Sequence, residues 1–147
     1  MTQGYYNIGD AAIMIAAILL GRKVGFIAGG IGSLLADVVT GYYIYAPATL
    51  IVKGIEGYII GAIANKKNGV PSRLRQAVAV TAGGLEMVLG YFIYQATVIR
   101  MINPTLGMAS IIADIPGNLI QGAISAVLAL VFLTVLYRTN TVKNLLR

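Results

Sequence analysis

Cysteine and histidine are both absent from this chain. Without cysteine there is no disulfide framework and no thiolate metal site. Without histidine the commonest metal ligand and the usual neutral-pH proton shuttle are gone. No Ser–His or Cys–His catalytic pairing is then possible. Charge is scarce as well: 11% of the 147 residues are Asp, Glu, Lys or Arg, against 58% hydrophobic. That balance is too apolar for a globular domain. There is no GxxxxGK[ST] run, so ATP hydrolysis on a phosphate loop is excluded. Gly25, Gly29, Gly30 and Gly32 lie in a stretch too apolar to serve as such a loop. The residues support neither an enzyme nor a cofactor site.

What charge there is carries the information. The formal net charge is +6, from 11 basic and 5 acidic residues. The basic residues gather at the ends of apolar stretches and do not interleave with exposed aromatics, which argues against nucleic acid as a partner. The acids are Asp10, Asp37, Glu56, Glu86 and Asp114, and each lies inside or at the edge of an apolar run. A soluble protein keeps its acids on a solvated surface. An acid at the bilayer centre costs about 2.5–3.5 kcal/mol on insertion scales, and such acids usually line a cavity or a pathway. The pattern is that of a membrane protein that handles something polar.

About 20 apolar residues cross a bilayer as a helix. Candidate spans fall at 8–20, 24–40, 44–64, 76–99 and 108–137, joined by brief loops in a single all-α transmembrane domain. The first is short and opens on Asp10. The last is long, with Pro116 expected in its first turn and a re-entrant or interfacial piece, 108–113, expected before it. Met1–Gly9 has no basic segment of the kind that opens a secretory signal. Arg22, Lys23, Lys66, Lys67, Arg73, Arg75, Arg138, Lys143 and Arg147 follow alternate spans, whereas the other loops hold only Arg100. Positive charge favours the cytoplasmic side, so the C-terminus is expected inside and the N-terminus outside. Tyr5, Tyr6, Tyr42, Tyr43 and Tyr45 then gather at the outer interface, where aromatic rings are favoured.

Polar residues are unevenly placed along these spans. Asp114, Asn118, Gln121 and Ser125 recur at helical spacing and form one stripe, after which Ala126–Leu136 is almost wholly apolar. Tyr91, Tyr94 and Gln95 share a face toward the outer end of the fourth span. Lys53 and Glu56 stand three apart on one face of the third, either as functional groups or as an ion pair that neutralises itself. The outer half is thus expected to be polar within and the inner half dry. A channel would need a wetted path all the way through. The small-xxx-small pairs Gly29/Ser33, Gly57/Gly61 and Gly122/Ala126 mark close helix contacts, and Glu86, near Gly83 and Gly90, is expected to brace one.

Several runs together resemble a known family. These are Asn7-Ile8-Gly9-Asp10, the stretch from Gly29 to Asp37, the Tyr45-Ala46-Pro47-Ala48-Thr49 turn with Lys53-Gly54 behind it, and the segment Asp114–Gly122. In this order they resemble the substrate-binding S component of energy-coupling factor (ECF) transporters, over about residues 6–136. The resemblance implies a six-helix subunit that binds a vitamin or vitamin precursor near the outer face. It further implies partners: one membrane scaffold subunit and two ATPase subunits, with toppling of the S component to release solute. Riboflavin, pyridoxine, thiamine precursors, pantothenate, folate and queuosine-type bases all suit a pocket of amides and tyrosines.

One departure stands out. The family carries a helix before the Asn-Ile-Gly-Asp loop, and this chain begins at that loop: a misassigned start, a truncation or a five-helix variant would each give the bundle of about five helices expected here. By position, the resemblance places Asn7 and Asp10 in the loop that caps the pocket, and Tyr42, Tyr43 and Tyr45 in the lid. It places Lys53, Tyr91, Gln95, Asn118 and Gln121 on pocket-facing helices, and the outer stripe adds Asp114. Two alternatives remain at this level: an accessory membrane subunit, or a small self-sufficient carrier.

Overall fold

The computed structural model describes residues 8–64 and 70–138. Helix α1 covers Gly9–Leu20, α2 Arg22–Thr40, α3 Ala46–Ala64, α4 Arg73–Ile102 and α5 Met108–Arg138. No strand occurs among the described residues. Asn7 and the basic residues Lys66, Lys67, Lys143 and Arg147 lie outside the described residues, as do Tyr5 and Tyr6.

The breaks between helices have local causes. Gly21, at φ 86° and ψ 178°, occupies a region essentially closed to other residues and turns α1 into α2. Gly41, at φ 84°, ends α2 in the left-handed conformation, and the Tyr42 N–H reaches back to the Asp37 carbonyl at 2.8 Å. That is the hydrogen bonding of a glycine-terminated helix. Pro71 precedes α4, and the Ser72 hydroxyl caps it by accepting from the Arg75 N–H at 3.3 Å. Asp10 sits in the first turn of α1, where the positive end of the helix dipole favours a carboxylate.

The helices alternate in direction, as their contacts show. Gly25 meets Ala17 and Gly57; Gly29 meets Ile13 and Lys53; Gly83 meets Ile60 and Gly90 meets Val52. Gly122 faces Met87 and Gly84. Helix α3 packs against α1, α2 and α4, while α5 closes the bundle against α4 and α1. The α2–α3 seam is the tightest. A methyl group at Gly25 would run into the Gly57 carbonyl, and one at Gly29 into the Lys53 carbonyl. Both helices therefore approach backbone to backbone, which only small residues permit. The other surfaces are greasy: Ile27, Ile31, Leu35, Leu119, Ile124, Val127 and Val131 are all exposed. Such a shell suits lipid as its solvent.

An all-α membrane bundle is what the sequence predicts, and the described helices form one. Four of them are long and apolar enough to cross a membrane. The exception is α1, whose 12 residues rise only about 18 Å against a hydrocarbon core of about 30 Å. The last span corrects two expectations. Helix α5 runs unbroken from Met108, so there is no separate re-entrant piece, and Pro116 lies two turns inside rather than in the first turn. Proline there removes one backbone bond, to the Ile112 carbonyl, and the apolar run on both sides keeps the rest. Helix α4 also departs from regularity, widening to a π-turn over Gln95–Ile99 before one last α-turn.

Because the helices alternate, the start of α1, α3 and α5 and the end of α2 and α4 meet at one end of the bundle. The opposite end holds the apolar core: Met14, Ala17, Ile60, Ala64, Ala79, Val80, Ala129 and Leu133.

Candidate functional site

At the polar end, the Lys53 ammonium is the centre of a buried cluster. It lies 2.6 Å from Asp10 Oδ1 and 2.8 Å from Glu56 Oε2, and it donates to Met87 Sδ. Asp10 and Glu56 are wholly buried and Lys53 is 3% exposed. The i,i+3 spacing on α3 puts Glu56 beside Lys53. The third partner comes from the first turn of α1. Two carboxylates around one ammonium satisfy its charge, and each removed from water alone would cost several kcal/mol. Glu56 Oε1 and Glu86 Oε2 are buried atoms with no hydrogen-bond partner among the described residues.

Gln121 extends the cluster to α5. Its Nε2 donates to Asp10 Oδ2 at 2.7 Å and approaches Met87 Sδ at 3.9 Å. Tyr91 extends it along α4: its ring lies under the Lys53 ammonium, 5.9 Å from the centroid, and its hydroxyl donates to Thr49 Oγ1 at 3.1 Å. The contact is of the cation–π kind.

One turn further along α4, Gln95 makes a second cluster. Its Nε2 donates to Asp114 Oδ2 at 3.1 Å and to the Tyr45 hydroxyl at 3.5 Å. Tyr45 and Tyr94 meet edge to face with ring centroids 5.8 Å apart, and the Tyr94 hydroxyl donates to the Ile44 carbonyl. These contacts fasten the α2–α3 turn onto α4 where the π-turn begins. A π-turn re-aims side chains and occurs often at functional sites.

Of the residues singled out in the sequence, Asp10, Lys53, Glu56, Tyr91 and Gln121 thus converge in one cluster, and Tyr45, Gln95 and Asp114 in the next. Asn118 is half-buried on the α5 stripe between Asp114 and Gln121, and its side chain makes no hydrogen bond among the described residues. Tyr42 is half-buried in the α2–α3 turn. Tyr43, at 67% exposure, makes none of the contacts that build the two clusters. The sequence reading missed Met87 and Thr49. Met87 is signalled by its spacing, four residues before Tyr91 and eight before Gln95, on one stripe of α4.

This arrangement defines a class first: a multi-pass helical membrane protein with polar groups gathered at one end of the bundle and a sealed apolar core at the other. A sequence model of the family described as "ECF-type riboflavin transporter, S component" matches residues 1–138. The chain belongs to that family of transporter S components. It is also similar to an "Uncharacterized protein in gap 3'region" of Pyrococcus woesei, with 47% identity over 90 residues. That match spans 61% of this chain and 58% of the relative's own length.

Proposed function

We propose that this chain is the solute-binding subunit of an ECF-type importer and that its solute is riboflavin or a close flavin. The observation that carries the reading is the convergence of Asp10, Lys53, Tyr91, Gln95, Asp114 and Gln121 from four helices at one end of a bundle of this family. Amides supply paired donors and acceptors for a heterocycle edge, and tyrosines supply faces for stacking. Asn118, with its amide uncommitted, is the first contact residue, followed by Gln121, Tyr45 and Lys53. Tyr42, in the α2–α3 turn, completes the mouth.

The polar end faces outward in this proposal, because Arg22, Lys23, Arg73, Arg75 and Arg138 stand at the apolar end. A scaffold membrane subunit and two ATPase subunits supply the energy, since this chain has no phosphate loop of its own. Leu74, 76% exposed at the apolar end, tests the orientation. A Leu74→Cys variant should resist an impermeant thiol reagent in intact cells and react after permeabilisation. Labelling in intact cells reverses the orientation.

Flavin fluorescence and thermal unfolding of the purified full chain in detergent test the solute. Riboflavin should bind at micromolar concentration or better and raise the melting temperature, because only native-state binding stabilises. Asn118→Leu should weaken binding by about tenfold or more, the cost of stranding one buried polar group of the solute. A melting temperature indifferent to riboflavin but raised by another water-soluble vitamin replaces the solute. Indifference to all of them favours an accessory subunit whose polar groups only join helices. A self-sufficient carrier is disfavoured by the core around Met14, Ile60, Val80 and Leu133, which offers no polar path.

A further inference from the structure

The two amides at the polar end are held the same way. Gln121 Nε2 faces Asp10 Oδ2 at 2.7 Å, and Gln95 Nε2 faces Asp114 Oδ2 at 3.1 Å. A carboxylate is an acceptor only, so the amide group that meets it must be the NH2. The orientation of both amides is thereby decided by chemistry. The second N–H of each is also directed at a protein acceptor, Met87 Sδ for Gln121 and the Tyr45 hydroxyl for Gln95. The carbonyl oxygen of each amide therefore lies on the side away from the carboxylate. A carbonyl has two lone pairs, so an acceptor position remains even where one bond is already taken.

We infer that Asp10 and Asp114 are positioning residues that turn Gln121 and Gln95 into fixed acceptors, so that the site selects a neutral solute with hydrogen-bond donors toward both ends. The inference rests on the proposed solute-binding role. Asp114 and Gln121 are seven residues apart on α5, about 10 Å along the axis, and Asn118 stands between them. Riboflavin, the proposed solute, meets this requirement with its imide N–H toward one end and the hydroxyls of its side chain toward the other. Acceptor-only edges, carboxylate and phosphate, meet carbonyl oxygens backed by carboxylates and are repelled. Lys53 does not rescue them, because its ammonium is already shared between Asp10 and Glu56.

The test is a set of equilibrium titrations of the full chain in detergent with riboflavin, its N3-methyl analogue and riboflavin 5′-phosphate. The wild type should prefer riboflavin to the N3-methyl analogue and to the phosphate by about tenfold or more, since a buried acceptor left facing a methyl or an anion loses its partner. In Asp10→Asn and Asp114→Asn the neighbouring amide is free to turn over. At least one of them should still bind riboflavin while its preference over the N3-methyl analogue falls to within about threefold. Asp114→Glu should restore the preference. A role confined to stability would weaken all three ligands alike and leave the ratios unmoved. If Asp10→Asn does not fold, Asp114→Asn, at a half-buried position, carries the test alone. Wild-type protein that binds riboflavin and its N3-methyl analogue equally overturns the inference, as do ratios that survive both Asn substitutions. Absence of any riboflavin binding by the wild type is a separate result: it overturns the proposed solute and this inference with it.

Discussion

At the polar end, four helices are joined through Lys53, Asp10, Glu56, Met87 and Gln121; at the opposite end, the same helices meet through Met14, Ile60, Val80, Ala129 and Leu133. The difference teaches what each kind of contact does inside a bilayer. Lipid tails are as apolar as leucine, so the apolar end gains little from burial itself and is held by close packing. A buried charge has no alternative partner in lipid, so removing one member of the ion cluster exposes the others to the full cost of desolvation. One end seals, and the other specifies which helices meet.

Replacing Lys53 by Met should have the largest effect. Asp10 and Glu56 would remain buried without their cation, a loss of about 3–5 kcal/mol. Thermal or denaturant unfolding in detergent measures it. Most of the loss should return in the triple variant Lys53→Met, Asp10→Asn, Glu56→Gln, in which no charge remains. A Lys53→Met protein as stable as the wild type would end the distinction between the two regions.

Between the two ends lies the α2–α3 seam. Gly25→Ala places a methyl against the Gly57 carbonyl and the Ala17 side chain, overpacking that should cost about 2–3 kcal/mol in the same assay. Tolerance of Ala there would mean that the helices have room to separate. At the sealed end, Leu133→Ala should cost about 2 kcal/mol, the low side of a core truncation, because lipid rather than water is the alternative environment. Solute affinity should stay within about twofold of wild type in that variant, since Leu133 belongs to the apolar core and to neither polar cluster. A large change in affinity would show the two ends to be coupled. The smallest effect is expected from Tyr43→Ala, below about 0.5 kcal/mol, because that ring is largely exposed.

Much of the site was legible from spacing alone. The Asp114, Asn118, Gln121 stripe follows from helical periodicity, and Glu56 beside Lys53 follows from a separation of three. Gly57 and Gly61 read correctly as a close contact, against Gly25 and the Arg22 backbone. Asp10 was legible as an intramembrane acid but its partners were not: Gln121 lies 111 positions away, and no local rule links them. Met87 was hidden because methionine in an apolar run looks like core packing. Pro116 misled for a related reason. Proline favours a helix start, yet α5 extends two turns before it because those residues are apolar enough to remain helical beside their neighbours.

Composition and periodicity by themselves determined the membrane environment, the positions of the long helices and the concentration of polar residues toward one end, because these depend on what each residue prefers as its surroundings. The tertiary structure alone decided which carboxylate meets which donor. Asp10 completes the Lys53 cluster, Asp114 holds Gln95, and α2 lies against α3 at backbone distance. Each of these is a contact between segments far apart in the chain, where geometry, and no local preference, selects the partner.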